Sequence, residues 1–275
     1  MKKIRKPKFA ALHWSGCSDV GRFRHNNEDA FLGLQFDARE VFRLGKFGSA
    51  ATEKVDFAFA VCDGMGGAKA GEFASKIAVE KITARLPRAF RKFENGGAEK
   101  SAAVLDELFT QIHRALVFVG GSYEETAGMQ TTMSLGWFTP GKMFFGHIGD
   151  SRIYFLPAKK NEIRQLTEDD THVGWLLRTG QINEREARSH PRRNVLQKAL
   201  GGANQFVTPQ TGAVACARGD IFLFCSDGLV DGLYDHELVD FLRTETGTDA
   251  AEKIVAASVK NSGRDNTTAM IVRVV

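Results

Sequence analysis

Several acidic residues of the sequence stand directly beside short apolar runs. Each of them alone can be only a turn residue, because Asp-Gly pairs favour turns and Asp is common at strand ends. If the apolar runs are neighbouring strands, however, their terminal carboxylates converge in one cleft. The set comprises Asp63 after FAFAVC, Asp150 after MFFGHIG, Asp227 after IFLFCS, Asp265-Asn266 before TTAMIVRVV, and Asn27-Glu28-Asp29 before AFL.

A cluster of carboxylates is electrostatically costly unless positive charge lies among them. A ligand set of oxygens, without a Cys or His cluster, favours hard cations such as Mg²⁺, Mn²⁺ or Ca²⁺. Two such ions bridged by a carboxylate are suited to in-line attack on a phosphoryl group. The pattern therefore predicts a divalent-metal centre and favours phosphoryl chemistry.

Two glycine-containing motifs are weaker candidates for binding sites. GWFTPGK at 136–142 begins like a P-loop, but Met143 stands where Ser or Thr must bind Mg²⁺, and the context is strand–turn–strand. We interpret residues 139–142 as a hairpin turn. DGMGGAKAG at 63–71 precedes a helical pattern and could bind an anion at a helix N-terminus, but its spacing is not that of a dinucleotide site.

Composition and charge exclude several other classes of protein. With 43% apolar and 25% charged residues, the chain has the composition of a globular protein, and no apolar run approaches the ~20 residues of a membrane span. Five basic residues fall within the first eight; the rest has 32 basic and 33 acidic residues, which disfavours nucleic-acid binding. No secretory signal is evident, and four cysteines without a CxxC pair indicate reduced thiols in the cytoplasm.

The apolar runs have the pattern of strands, and longer segments between them have the pattern of helices. VDFAFAVCDG places Val55, Phe57, Phe59 and Val61 on one face and small residues on the other. TTMSLGWF, MFFGHIGDSRIYFL, DIFLFCSDG and NTTAMIVRVV are similar. Helices are predicted over GEFASKIAVEKITARL, SAAVLDELFTQIHRALV and DAAEKIVAASVKNSG, the last with Asp249 as its N-cap. This order predicts an α+β fold with antiparallel sheets.

Two stretches lack a long periodic pattern. Residues 36–54 are predicted to form an irregular loop. Residues 157–195 are polar and contain short helical pieces, THVGWLLRTG and NEREAR, which is typical of a disordered insertion or of a functional lid.

Seven blocks of the sequence carry a resemblance to a known family. They are SDVGRFRHNNEDAFL, VCDGMGGAKAGEFAS, GMQTTM, HIGDSRIY, HPRRNVLQKALGG, CSDGL and GRDNTT. In this order they resemble the metal-dependent Ser/Thr protein phosphatases of type 2C, most closely the compact bacterial members. The match runs from about Ser18 to Val272 and implies a basic arm at 1–12, one catalytic domain at 13–275 and a flap near the active site at about 157–195. The implied fold is an α-β-β-α sandwich of two packed antiparallel sheets flanked by helix pairs.

The resemblance also implies a set of two to three Mn²⁺ or Mg²⁺ ions and their ligands. Asp63 would bridge two ions, and the Gly64 carbonyl would bind one of them. Asp227 and Asp265 would complete the ligands of the other ion. Asp150 would bind a third ion that it shares with Asp227. A metal-bridging hydroxide would then attack phosphorus in line.

The resemblance implies roles for three further residues, and at one position this chain departs from the pattern of the family. Glu28 and Asp29 would act largely through metal-bound water, and Arg24 would clamp the substrate phosphate with its planar guanidinium. Some relatives, chiefly eukaryotic, have His directly after the Asp-Gly, where this chain has Met65. The general acid is therefore unassigned; His25 could serve, although a metal-bound water is our prediction. His147, within a strand-like run, is interpreted as a packed residue.

The resemblance implies hydrolysis of phosphoserine and phosphothreonine on proteins, opposite a Ser/Thr protein kinase. The main alternative is a pseudophosphatase that binds phosphoproteins without turnover; the presence of Arg24, Asp63, Asp227 and Asp265 together argues against it. A structural Ca²⁺ protein would leave Arg24 without a role. A metal-dependent nuclease is disfavoured by the nearly neutral body of the chain.

Overall fold

Two antiparallel sheets packed face to face lie at the centre of the fold. The structure is a computed structural model and describes residues 11–66, 70–93, 98–202 and 207–275. Its strands are β1 Ala11–Asp19, β2 Asp29–Phe36, β3 Val41–Arg43, β4 Phe47–Ala51, β5 Asp56–Met65, β6 Gln130–Thr131, β7 Met133–Thr139, β8 Lys142–Ile148, β9 Arg152–Leu156, β10 Arg164–Gln165, β11 Leu200–Gly201, β12 Gln210–Ala215, β13 Ile221–Cys225 and β14 Thr267–Val274. Its helices are α1 Ala70–Arg85, α2 Pro87–Phe93, α3 Ala98–Ser122, α4 His172–Arg178, α5 Glu184–Ser189, α6 Asp227–Gly232, α7 Asp235–Thr244 and α8 Ala250–Asn261, with a short 3₁₀ helix at Glu124–Thr126.

The two sheets have different strand orders. One contains six strands in the order β10-β9-β13-β14-β1-β4. The other contains eight, with β11-β6-β5-β7-β8-β12 as its path and β2 and β3 joined to it through β5. Helices α1 and α3 cover the eight-stranded sheet, and α6, α7 and α8 cover the six-stranded sheet. The expected α-β-β-α sandwich is confirmed.

The alternation of side chains along β5 explains why both of its faces are buried. Phe57, Phe59 and Val61 pack between the sheets, while Ala58, Ala60 and Cys62 pack under α1 and α3. Side chains of a strand point to opposite faces with a period of two, so large residues fill the space between the sheets and small residues let the helices approach. Strand β13 alternates in the same way between the intersheet layer and α6–α8.

The prediction of an irregular loop at 36–54 was wrong. This stretch contains β3, which pairs with β2, and β4, which pairs with β1 at the edge of the six-stranded sheet. Its short strands lack a strong apolar alternation, because an edge strand is only partly covered. Close packing holds β4 instead: a Cβ added at Gly48 would lie 2.4 Å from the indole of Trp14. The Trp14 Nε1–H donates to the Gly45 carbonyl at 3.0 Å.

Two smaller expectations also differ from the structure. Asp249 does occupy the N-cap position of α8, but its side chain caps no amide and pairs with Lys253 at 3.0 Å instead. Strand β1 begins at Ala11, and Leu12 is fully buried, so the expected boundary of the basic arm at residue 12 lies inside the strand. Residues 1–10 of that arm lie outside the described residues.

Residues 157–195 are partly helical, with α4 and α5 following the short strand β10. Thr171 caps α4 by accepting the Gly174 amide, and Asn183 and Glu186 form a capping box at α5. These caps explain why two short helices form in a polar segment. None of the helices among the described residues is long and apolar enough to cross a membrane.

Candidate active site

Three aspartates from separate elements meet where the two sheets adjoin. Asp63 lies near the end of β5, Asp150 follows β8, and Asp227 begins α6 directly after β13. One carboxylate oxygen of each lies within 4.8 Å of the others. Asp63 lies in a strand of the eight-stranded sheet, Asp150 lies in the connection from β8 of that sheet to β9 of the six-stranded sheet, and Asp227 comes just after β13 of the six-stranded sheet. The face-to-face packing of the sheets therefore brings them together.

Asp29 lies directly beside this group. It is the cross-strand partner of Asp63 in the pairing of β2 with β5. Its Oδ2 accepts hydrogen bonds from Ser226 Oγ at 2.7 Å and Thr268 Oγ1 at 2.6 Å. Its Oδ1 is buried and has no hydrogen-bond partner among the described residues, and the same holds for Asp227 Oδ1.

Burial raises the pKa of each of these carboxyl groups, and repulsion from nearby aspartates adds to the effect. The pKa of Asp29 rises to about 6, and that of Asp150 to about 7. The pKa values of Asp63 and Asp227 are raised well above their ordinary range, first by burial and then by neighbouring aspartates. Such a group favours either protonation or bound cations.

The residues present fit hard divalent cations. Two buried carboxylate oxygens have no donor among the described residues, and the three clustered residues all offer carboxylate oxygens. Mg²⁺ and Mn²⁺ prefer such ligands. A cation would supply the positive charge that these buried oxygens require.

Glu28, just before β2, and Gly64, in β5, pack against Gly71 in the first turn of α1. The Gly64 amide donates to the Glu28 carbonyl at 3.2 Å, and a Cβ added at Gly64 would lie 2.0 Å from the Gly71 carbonyl oxygen. Glycine is therefore required at position 64 by close packing. Asn266 Oδ1 accepts the Glu28 amide at 2.8 Å, which ties this loop to the start of β14. Burial raises the pKa of Glu28.

A cleft of about 410 Å³ opens above the aspartates. Its walls include Arg24, Glu28 and Asp265 together with the three clustered aspartates. Arg24 donates to Asp265 Oδ2 at 2.6 Å, and about half of the arginine side chain is exposed. The site residues predicted from the sequence therefore line one cleft, with the exception of Asp29. Asp29 lies behind the cleft as the cross-strand partner of Asp63, which lines it.

The segment at 157–195 contributes to this cleft and to a second one. Asn194 lines the first cleft and also a neighbouring cavity of about 410 Å³, and Asp150 and Asp227 line both. Two arginines hold the segment against α6. Arg188 donates to the carbonyls of Val230 and Leu233, and Arg193 lies 3.6 Å from Asp231. The predicted flap thus packs against the helix that begins with Asp227.

The two histidines singled out in the sequence lie in different surroundings. His25 lines the cleft next to Arg24. His147 is fully buried, with Nδ1 2.8 Å from Ser134 Oγ and Nε2 3.0 Å from the Gly149 carbonyl, and burial lowers its pKa. Its placement agrees with the interpretation of a packed residue.

Sequence reasoning missed the polar residues that hold the acidic ones in place. Ser226 precedes Asp227, and Thr268 follows Asp265 by three positions, within blocks that were already of interest. Their hydroxyls contact Asp29, which lies 197 residues before Ser226 and 239 residues before Thr268 in the sequence. The signal that could have found them is a Ser or Thr within three positions of the acidic residue in each block.

Comparisons with known proteins agree with this arrangement. A family model described as Protein phosphatase 2C matches residues 46–261. The chain is 30% identical over 262 residues to the serine/threonine phosphatase stp of Listeria welshimeri, covering 95% of each protein. It is similar to the crystal structure of the Mycobacterium tuberculosis serine/threonine phosphatase PstP/Ppp, with a TM-score of 0.77, 30% identity, and coverage of 96% of this chain and 99% of that one. A structure of the PstP catalytic domain in complex with 2 manganese ions gives a TM-score of 0.76 at 29% identity, with the same coverage of 96% and 99%.

Proposed function

The chain belongs to the protein phosphatase 2C family and is a metal-dependent Ser/Thr protein phosphatase, and we propose that the acidic cleft is its catalytic centre. The observation that carries this proposal is the convergence of Asp63, Asp150 and Asp227 within 4.8 Å beneath a cleft that also contains Arg24. Phosphoryl transfer needs positive charge around the phosphate oxygens, and this cleft has one arginine and ligands for divalent cations.

The proposed metal ligands are the residues whose oxygens meet at the cleft. Asp63 would be shared by two ions, and the Gly64 carbonyl would bind one of them. Asp227 and Asp265 would hold the other ion, and Asp150 would hold a third ion together with Asp227. Glu28 and Asp29 would act largely through metal-bound water. When bound, Mn²⁺ or Mg²⁺ activates water and neutralises charge on the phosphate.

Arg24 is the proposed phosphate ligand. It lines the cleft, and its guanidinium carries five N–H donors in a planar fork, only part of which is used by Asp265. The remaining donors can contact two phosphate oxygens while the pair with Asp265 keeps the guanidinium at the cleft. Arg24 therefore orients the phosphate and balances its charge.

The substrates are phosphorylated proteins, and we propose an opposing Ser/Thr protein kinase as a functional partner. We also propose that residues 13–275 act as one catalytic domain with a flap at about 157–195. A cytoplasmic location and the absence of nucleic-acid binding belong to the same proposal. All four cysteines are free, which is typical of a reducing compartment, and the chain without its basic arm is nearly neutral.

The test is phosphate release from a phosphothreonine peptide, measured with Mn²⁺, with Mg²⁺ and with a chelator. We expect turnover only with a divalent ion and none in Asp63→Asn, because the bridging ligand is lost from two ions at once. Full turnover by the chelated protein would refute the metal mechanism. Tight binding of the phosphopeptide without any turnover would support the pseudophosphatase alternative instead.

A further inference from the structure

Two buried hydroxyl groups contact the same oxygen of Asp29. Ser226 Oγ and Thr268 Oγ1 both donate to Oδ2, at 2.7 and 2.6 Å, and both residues are fully buried. A carboxylate offers two oxygens to donors, yet both hydroxyls bind one of them. The other oxygen, Oδ1, is buried and has no hydrogen-bond partner among the described residues. The arrangement holds one oxygen and leaves the second for another partner.

The donor and the acceptor of each hydrogen bond in this network can be assigned. Thr268 has a single hydroxyl hydrogen, and it is donated to Asp29, so Ser18 must donate across the 2.7 Å contact between the Ser18 and Thr268 hydroxyls. Asn27 Nδ2 in turn donates to Ser18 Oγ at 2.8 Å. The Thr268 amide donates to Ser226 Oγ at 2.9 Å, which leaves the Ser226 hydrogen for Asp29.

Each hydroxyl that contacts Asp29 is therefore itself held by a donor. Chains of this kind polarise one another, and hydrogen bonds to a charged oxygen are the stronger ones. Asn27 also holds the backbone of Asp29, because its Oδ1 accepts the Asp29 amide at 3.1 Å. The backbone and the side chain of Asp29 are thus fixed by the same small group of residues.

We propose that Ser226 and Thr268, supported by Ser18 and Asn27, are positioning residues of the metal centre. They bind Asp29 Oδ2 so that the carboxylate stays beside Asp63 and presents Oδ1 to the cations. The inference rests on the proposed function in one respect, since it assumes that divalent ions bind at this centre. Residues behind a metal ligand commonly set its orientation, and their loss typically lowers metal affinity by about 10–100-fold.

The experiment measures Mn²⁺ binding by calorimetry and, separately, the melting temperature of the chelated protein. Thr268→Val removes the hydroxyl and keeps the shape of the side chain, and we expect Mn²⁺ affinity to fall by about 10–100-fold. Thr268→Ser restores a hydroxyl, and we expect it to recover most of that affinity. The matched control is Thr126→Val, which removes a buried hydroxyl that donates to the carbonyls of Val119 and Tyr123; none of these three residues lines the cleft.

Ser18→Ala is the milder variant in case Thr268→Val does not fold, because Ser18 is only half-buried. It removes the donor behind Thr268, and we expect a smaller, severalfold loss of Mn²⁺ affinity. If Thr268→Val, or Ser18→Ala in its place, lowers the melting temperature but binds Mn²⁺ like the parent, the positioning role is refuted. Failure of the parent itself to bind Mn²⁺ would instead refute the proposed metal centre.

Discussion

Arg24 and Asp265 form an ion pair at the mouth of the cleft, with a guanidinium nitrogen 2.6 Å from the carboxylate oxygen. The proposed phosphate ligand therefore contacts a proposed metal ligand. The hydrogen bond with Asp265 is the main reason that the pKa of Arg24 is raised. Because Arg24 and a cation would both attract this carboxylate, we expect phosphate binding and metal binding to be coupled through Asp265.

The first prediction concerns Arg24→Ala. We expect kcat/KM for a phosphothreonine peptide to fall. The loss of transition-state stabilisation should be about 1.5–3 kcal/mol, as for a lost hydrogen bond to a charged group. Mn²⁺ affinity, measured by calorimetry, should rise slightly, by less than about fivefold, because a half-exposed ion pair is worth at most about 1 kcal/mol. Arg24→Lys keeps the charge and serves as the control. An unchanged kcat/KM in Arg24→Ala would show that Arg24 does not face the phosphate.

The second prediction concerns the stability of the metal-free protein. In chelator at pH 7.5, Asp63→Asn should melt higher than the parent, by about 2–4 °C for each kcal/mol of repulsion removed. Burial and repulsion raise the folded-state pKa values of this group, to about 6 for Asp29 and about 7 for Asp150. The stability that protonation of these two groups contributes is therefore fully present below about pH 4 and is lost as the pH rises through about 6 and 7.

Calorimetric scans of parent and Asp63→Asn between pH 5 and 8 test this prediction. The variant should show the weaker dependence on pH, since one of the repelling carboxyl groups is absent. Parallel curves for the two proteins would contradict it.

The third prediction concerns Asp150, whose carboxylate lies with those of Asp63 and Asp227. Asp150→Ala should lower turnover while two Mn²⁺ ions remain bound, if the ion that it binds is the third and the weakest. Crystals of the variant soaked in Mn²⁺ would give the occupancy of each site. Loss of all the ions would show that Asp150 supports the main pair.

The fourth prediction concerns His25, which lines the cleft. His25→Ala should retain kcat within about tenfold of the parent, whereas loss of a true general acid typically costs ~10²–10⁴-fold. Two substrates are compared: an aryl phosphate, whose leaving group hardly needs a proton, and a phosphothreonine peptide, whose leaving group does. A large loss on the peptide alone would identify His25 as the proton donor.

The fifth prediction concerns a buried carboxyl group remote from the cleft. Burial raises the pKa of Asp56 to about 7, an effect that the hydrogen bond from Trp137 Nε1 at 2.8 Å partly offsets. The stability that its protonation contributes is fully present below about pH 4 and is lost as the pH rises through about 7. Asp56→Asn should therefore be more stable than the parent at pH 8, by about 1–3 kcal/mol, and similar to it near pH 5.

Melting temperatures of Asp56→Asn at these two pH values test this expectation. Asp106→Asn, at an exposed position of α3, is the matched control and should melt like the parent at both. A variant that is less stable than the parent at pH 8 would show that the ionised carboxylate is well solvated in the folded protein.

Local features of the sequence were sufficient to predict much of the fold. The alternation of large and small residues along β5 predicted its two buried faces, because side-chain direction in a strand depends only on position. The turn between β7 and β8 was also predictable, because Pro and Gly in succession favour a turn. In the structure Gly141 has a φ of +87°, which favours glycine. The strands at 36–54 were not, because β4 is held by packing on Trp14 rather than by its own alternation.

The sequence by itself determined where the acidic residues of the proposed catalytic centre stand along the chain. Asp63, Asp150 and Asp227 each follow a short apolar run of residues, and this position is a local property of the chain. Only the tertiary structure decided which oxygens meet, because Asp227 reaches the other two through the packing of one sheet on the other. It also decided the partners of Asp29, whose two hydroxyl donors lie 197 and 239 residues away along the chain. Contacts at such separations depend on the packing of the two sheets, and no local pattern of side chains encodes them.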